Sequence, residues 1–141
     1  MSRQVRIRLH LWLENGGSMI FGMGRVQLLD MIERHGSLRK AASAMGMSYR
    51  AAWCKLRATE KALGISLVEV PGPKRDGCRL TADGAYLRDV FRQWFAAVEN
   101  CALTQAENLL PWPVTGFLDE HEDLKPLQAS PLPRDSSESP P

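Results

Sequence analysis

The stretch SLRKAASAMGMSYRAAWCKLRATEKALG, from Ser37 to Gly64, decides the fold. Ser37 is a side-chain cap for a short helix over Leu38–Met45, in which Leu38, Ala41, Ala42 and Met45 share one face. The small alanines let two short helices approach closely at a steep crossing. Gly46 accepts the left-handed turn conformation that larger residues resist, and Met47 plugs the turn into the core. Ser48 opens a longer helix to about Leu63, and Gly64 stops it. Along that helix Ala52, Leu56, Thr59 and Leu63 follow a 4-3-4 spacing and predict a buried stripe. The other faces carry Tyr49, Arg50, Trp53, Lys55, Arg57 and Lys61. This is a helix-turn-helix, whose second helix can lie in the DNA major groove.

Upstream, Val5, Ile7, Leu9, Leu11 and Leu13 alternate with Arg6, Arg8, His10, Trp12 and Glu14, which predicts a strand with one buried face. Asn15-Gly16-Gly17 makes a turn and Ser18–Phe21 a second strand, giving an N-terminal β-hairpin. Its cationic face either touches phosphate or is solvated. Val26, Leu28, Leu29 and Ile32 recur at helical spacing up to His35, with Gly36 as the stop. Downstream, Ile65–Val70 and Cys78–Leu80 are extended runs separated by Pro71-Gly-Pro-Lys-Arg-Asp-Gly77, a β-wing with Lys74 and Arg75 at its tip. Thr81 caps a long final helix whose apolar residues Leu87, Val90, Phe91, Trp94, Phe95 and Val98 make a stripe wider than one small domain needs. The expected fold class is α+β, mainly helical: a winged helix-turn-helix with an N-terminal hairpin and a long C-terminal helix.

Formal net charge is +2, which hides an asymmetry. Residues 1–100 hold 16 Lys and Arg against 9 Asp and Glu, a net of +7, whereas residues 101–141 are net −5. A basic globular part suits a polyanion. Seven of the nine prolines lie from Pro111 onwards among acidic and Ser residues. That composition predicts a domain over 1–108 and a disordered Pro-rich acidic tail over 109–141, within which Leu109–Leu118 could dock locally. Cys54, Cys78 and Cys101 are widely spaced, with no metal-ligand pattern and no CxxC pair, so reduced thiols and no metal are expected. No apolar run reaches the ~18 residues of a membrane span and no secretory signal is present, so the expectation is a cytoplasmic protein. His10, His35 and His121 are scattered, and no catalytic constellation or phosphate-binding glycine loop appears. No enzymatic activity and no cofactor are expected.

The motifs Gly36-Ser-Leu-Arg-Lys-Ala-Ala42, Met47-Ser48 and Leu80-Thr-Ala-Asp-Gly84 resemble the DNA-binding domain of LysR-type regulators. The string Met47-Ser-Tyr-Arg-Ala-Ala-Trp53, and the strand before the first helix, resemble still more the N-terminal domain of ModE, the molybdate-responsive family. The resemblance covers roughly residues 5–100. It implies a sequence-specific transcriptional regulator that binds double-stranded DNA as a homodimer. Members of both families continue into effector-binding domains that the sequence after residue 108 does not resemble, so molybdate sensing is not expected, and a DNA-binding half whose sensor is a separate protein is one alternative. A winged-helix protein-interaction module is the other alternative.

Arg50 is the first candidate for a bidentate guanine contact, with a phosphate contact as its alternative. Ser48 caps the helix or donates to a phosphate, and Tyr49 projects toward the groove. Trp53 either reads DNA or packs against the preceding helix. Arg57 and Lys61 reach backbone phosphates, Arg39 and Lys40 face the sugar-phosphate wall, and Lys74, Arg75 and Arg79 let the wing grip a minor groove or phosphates.

Overall fold

The computed structural model describes residues 4–72 and 77–126. In chain order the elements are β1 (Val5–Arg6), β2 (Trp12–Asn15), β3 (Ser18–Gly22), α1 (Met23–His35), α2 (Leu38–Ala44), α3 (Tyr49–Leu63), β4 (Val68–Glu69), β5 (Arg79–Leu80), α4 (Ala82–Leu109) and β6 (Val114–Thr115), followed by 3-10 turns at Phe117–Asp119 and Glu122–Leu124. This is a winged helix-turn-helix, α+β and mainly helical, with three separate two-stranded sheets.

β2 and β3 form the hairpin, closed by Gly16 and Gly17, both at positive φ as a primed two-residue turn requires. The continuous strand expected from Val5 to Leu13 is corrected. Side-chain exposure does alternate over residues 5–13, apolar residues inward. The backbone, however, splits: β1 pairs in parallel with β6, Val5 opposite Val114, while residues 7–11 are not in a strand. Period-two patterning specifies which face is buried and leaves the hydrogen-bonding partner open.

α1 is the central helix. Val26, Leu28, Leu29 and Ile32 are buried, and Gly36 ends the helix at φ 65° with its N–H on the Ile32 carbonyl, 2.7 Å. α4 packs across α1 through a half-buried ion network. Asp30 of α1 pairs with Arg92 and, at 3.4 Å, with Arg88, which also meets Glu33 at 2.8 Å and Asp89 at 3.0 Å. Burial pushes the Asp30 carboxyl up, against the pull of Arg92 and Arg88. Phe91 and Phe95 of α4 fill the core beside the network, Phe91 edge-on to Phe21. Trp94 remains 40 % exposed, and Leu87, Val90 and Val98 are half-buried, so the stripe expected on this helix is only partly buried.

Thr81 caps α4, its Oγ1 accepting from the Gly84 N–H at 3.0 Å. A Cβ at Gly84 would stand 2.1 Å from the Leu67 carbonyl oxygen, so the glycine is what lets α4 cross the wing so closely.

The segment after residue 108 departs from the disordered tail expected there. α4 continues to Leu109, and residues 110–126 fold back onto it. The buried Glu99 carboxylate accepts from the Phe117 and Leu118 N–H groups at 2.9 and 3.1 Å. Leu118 and Leu124 enter the core, and Glu120 bridges Arg6 and Arg8 at 2.7 and 3.3 Å. Composition misleads here because two leucines and a charge-assisted cap offset the ordering cost of a Pro-rich segment. Residues 127–141 of that expected tail lie outside the described residues. Leu124→Ala is expected to lower the unfolding free energy by about 2–5 kcal/mol in urea titration; a change below ~0.5 kcal/mol, the size of a surface substitution, would show that this segment does not dock.

Candidate nucleic-acid interface

The turn between α2 and α3 is built by local chemistry. Gly46 sits at φ 69°, and the Met47 N–H reaches the Ala42 carbonyl at 3.0 Å. Ala41, Ala42 and Ala52 are all buried, bringing the two helices close. Ser37 and Ser48 cap their helices as expected, accepting from the Lys40 and Ala51 N–H groups at 3.2 and 3.1 Å.

α3 buries Ala52, Leu56 and Thr59, but Leu63, expected in the same stripe, is 37 % exposed at the helix end beside Gly64. The seat of α3 is polar as well as apolar. Thr59 Oγ1 donates to the Ile20 carbonyl of β3 and sits 3.2 Å from the Lys55 carbonyl, to which the Arg25 Nε of α1 also donates at 3.2 Å. Arg25 is buried, which pushes its guanidinium below its ordinary pKa. The sequence reading missed it; its only signal is an arginine directly before the apolar run of α1.

Opposite the buried stripe, Arg50, Cys54, Arg57 and Lys61 are exposed along one face. Two aromatic residues flank this row, each with an arginine over it. Arg39 of α2 places its guanidinium 4.8 Å from the centre of the Tyr49 ring. Arg57 lies 4.2 Å over the Trp53 ring, with NH1 3.4 Å from Glu60. Trp53 is half-buried and packs on the core, so its other ring face carries Arg57. Glu60, also absent from the expected site, is anchored in turn by the Leu67 N–H at 2.7 Å. Ser48 and Tyr49 are exposed at the start of α3, and Arg39 and Lys40 at the start of α2.

The wing is shorter than expected, with Val68–Glu69 paired to Arg79–Leu80. The Cys78 N–H binds the Gly36 carbonyl at 2.9 Å, tying the wing base to the start of the helix-turn-helix. Arg79 is paired across the strands with Glu69 at 2.7 Å, which lowers its value as a free phosphate contact. Lys74 and Arg75 lie outside the described residues. Among the described residues no group of three His, Cys, Asp or Glu side chains is placed to hold a metal, and no helix is long and apolar enough to cross a membrane. The three cysteines are free, and burial pushes the Cys78 thiol up.

Residues 23–85 match the family described as bacterial regulatory helix-turn-helix protein, lysR family. The molybdenum-pterin-binding protein MopA of Rhodobacter capsulatus is 35 % identical over 79 residues, 55 % of this chain and 30 % of that protein. The chain thus spans under a third of the length of this relative. Among solved structures, the DNA-bound DNA-binding domain of CbnR superposes with a TM-score of 0.51 at 18 % identity, covering 62 % of this chain and 98 % of that one. The DNA-binding domain of BenM on benA site 1 DNA gives 0.50 at 15 % identity, covering 64 % and 99 %. These likenesses show the winged helix-turn-helix fold.

Loss of the helix cap should be measurable without any ligand. Ser48→Ala is expected to cost about 1 kcal/mol in chemical denaturation, whereas Ser48→Asp, which can also cap, is expected to keep the stability.

Proposed function

We propose that this LysR/ModE-like winged helix-turn-helix is the reading head of a sequence-specific transcriptional regulator of double-stranded DNA, acting by binding and not by catalysis, in the cytoplasm. The observation that carries the proposal is the exposed row Arg50, Cys54, Arg57 and Lys61 on the outer face of α3, directly opposite its buried stripe. A helix seated in this way offers its polar face to a groove, and residues near its N-terminus reach base edges most easily.

Arg50 is exposed, in the first turn of α3, and has no ion-pair partner among the described residues. We assign it the bidentate contact to a guanine edge. Ser48 and Tyr49 flank it, and Lys61 and Lys40 supply phosphate contacts. Arg39, held against Tyr49, meets the sugar-phosphate wall, and the wing residues Lys74 and Arg75 grip the minor groove or the backbone, with Arg79, paired to Glu69, a lesser contact. The net charge of +7 over residues 1–100 favours association through counterion release.

Homodimerisation through α4 completes the proposal. Tyr86, Trp94 and Cys101 are exposed on this long helix, away from Phe91, Phe95 and Glu99, which are buried against the rest of the chain. A two-fold pair would place two copies of α3 about one DNA turn, ~34 Å, apart.

A mobility-shift titration on DNA from upstream of its own gene tests the reading. Affinity is expected to fall steeply with salt, by about 0.9 log units per log unit of salt for each phosphate contacted. Arg50→Ala is expected to cost about 1–3 kcal/mol of discrimination against unrelated duplex. Binding that is equal for all duplexes, or discrimination unchanged in the variant, refutes the assignment. Trp94→Glu is expected to convert the dimer to a monomer in sedimentation; a monomeric parent protein would refute dimerisation through α4.

A further inference from the structure

Arg57 lies on the outward face of α3 two turns beyond Arg50, where a phosphate contact is the ordinary assignment for an arginine. Its surroundings argue against that role. NH1 is 3.4 Å from Glu60, whose side chain is only 10 % exposed, and Glu60 is itself held by the Leu67 N–H at 2.7 Å and the Ser66 hydroxyl at 3.3 Å. The carboxylate cannot swing away without uncapping the wing base. The Arg57–Glu60 pair is close to neutral as a unit, so it gains less by replacing a phosphate counterion than a free cation does. Directional hydrogen bonding is not cancelled by such a pair.

The indole of Trp53 controls that direction. Its ring lies 4.2 Å from the Arg57 guanidinium carbon, and the ring is fixed because Trp53 also packs on the core. With one guanidinium face on the indole and NH1 on Glu60, the Nε–NH2 edge has no hydrogen-bond partner among the described residues. That edge is a two-donor fork, and the side chain remains 61 % exposed. A fork already oriented loses little rotamer freedom on binding. Bidentate acceptors with matching spacing in the major groove are O6 and N7 of guanine.

We infer that Arg57 reads a guanine edge as a second specificity-determining residue of α3, and that Trp53 is the positioning residue that aims it. The inference rests on the DNA-reading function proposed above. Lysine in place of Arg57 keeps the charge and loses the fork; phenylalanine in place of Trp53 keeps an aromatic face, and methionine fills the same half-buried site without one.

The full chain and its variants are compared by selection from a duplex library with a randomised core, followed by affinity measurements on the selected duplexes over a range of salt. The wild type is expected to enrich a motif. Arg57→Lys is expected to lose about tenfold preference for guanine at one position of each half-site, with affinity for unrelated duplex and the salt slope unchanged. Trp53→Met is expected to lose the same preference at the same position, and Trp53→Phe to retain it, with melting curves confirming that all three variants are folded. The inference is overturned if Arg57→Lys keeps the whole motif. It is also overturned if Arg57→Ala weakens every duplex equally and lowers the salt slope by about 0.9, the signature of one phosphate contact. If Trp53→Met leaves intact the preference that Arg57→Lys removes, the positioning role is overturned alone. A wild type that enriches no motif overturns the DNA-reading function itself, and this inference with it.

Discussion

The carbonyl of Lys55 is the point on which the geometry of the interface depends. α3 fully buries three side chains, Ala52, Leu56 and Thr59, one of them a methyl group, with Trp53 half-buried beside them. This packing is not the whole of what holds the helix in its rotation about its axis. Hydrogen bonds add to that packing: Arg25 from α1 donates to the Lys55 carbonyl, and the Thr59 hydroxyl, which lies beside that carbonyl, donates to the Ile20 carbonyl in β3. Buried polar groups are costly unless paired, so any rotation of α3 that broke these bonds would be penalised. The exposed row on the other side of the helix is therefore held in register with the hairpin and α1.

Charge on the interface is sorted by its neighbours more than by its count. Arg57 and Arg79 each stand beside a glutamate, Glu60 and Glu69, while Arg39 rests on an aromatic face. Arg50, Lys40 and Lys61 are exposed with no such ion-pair partner among the described residues. A basic surface of this kind has two classes of cation, some available to neutralise phosphate and others held for geometry.

Much of this was legible in the sequence because it is local. The caps Ser37, Ser48 and Thr81, the stops Gly36 and Gly64, and the turn at Gly46 are each dictated within four residues of chain, and each is found where the sequence puts it. What escaped depends on distant partners. Nothing near Glu99 announces that it will cap Phe117 and Leu118, and nothing near Val5 names Val114. Arg25 and Glu60 take their roles from Lys55 and Leu67, which folding brings beside them. The Trp53–Arg57 stack is an intermediate case: its four-residue spacing is readable on a helix, but Glu60 decides what the stack is for.

Joining residue 5 to residue 114 in a parallel ladder also has a consequence for biosynthesis. β1 cannot pair until almost the whole of the described chain that follows it has been made. The helix-turn-helix, built from contacts close in sequence, can assemble while translation continues; the N-terminal strand must wait with its apolar residues unpaired. Pairing of β1 with β6, like the docking of Leu118 and Leu124 on the core, therefore depends on contacts far apart in sequence, whereas α2, the turn and α3 do not.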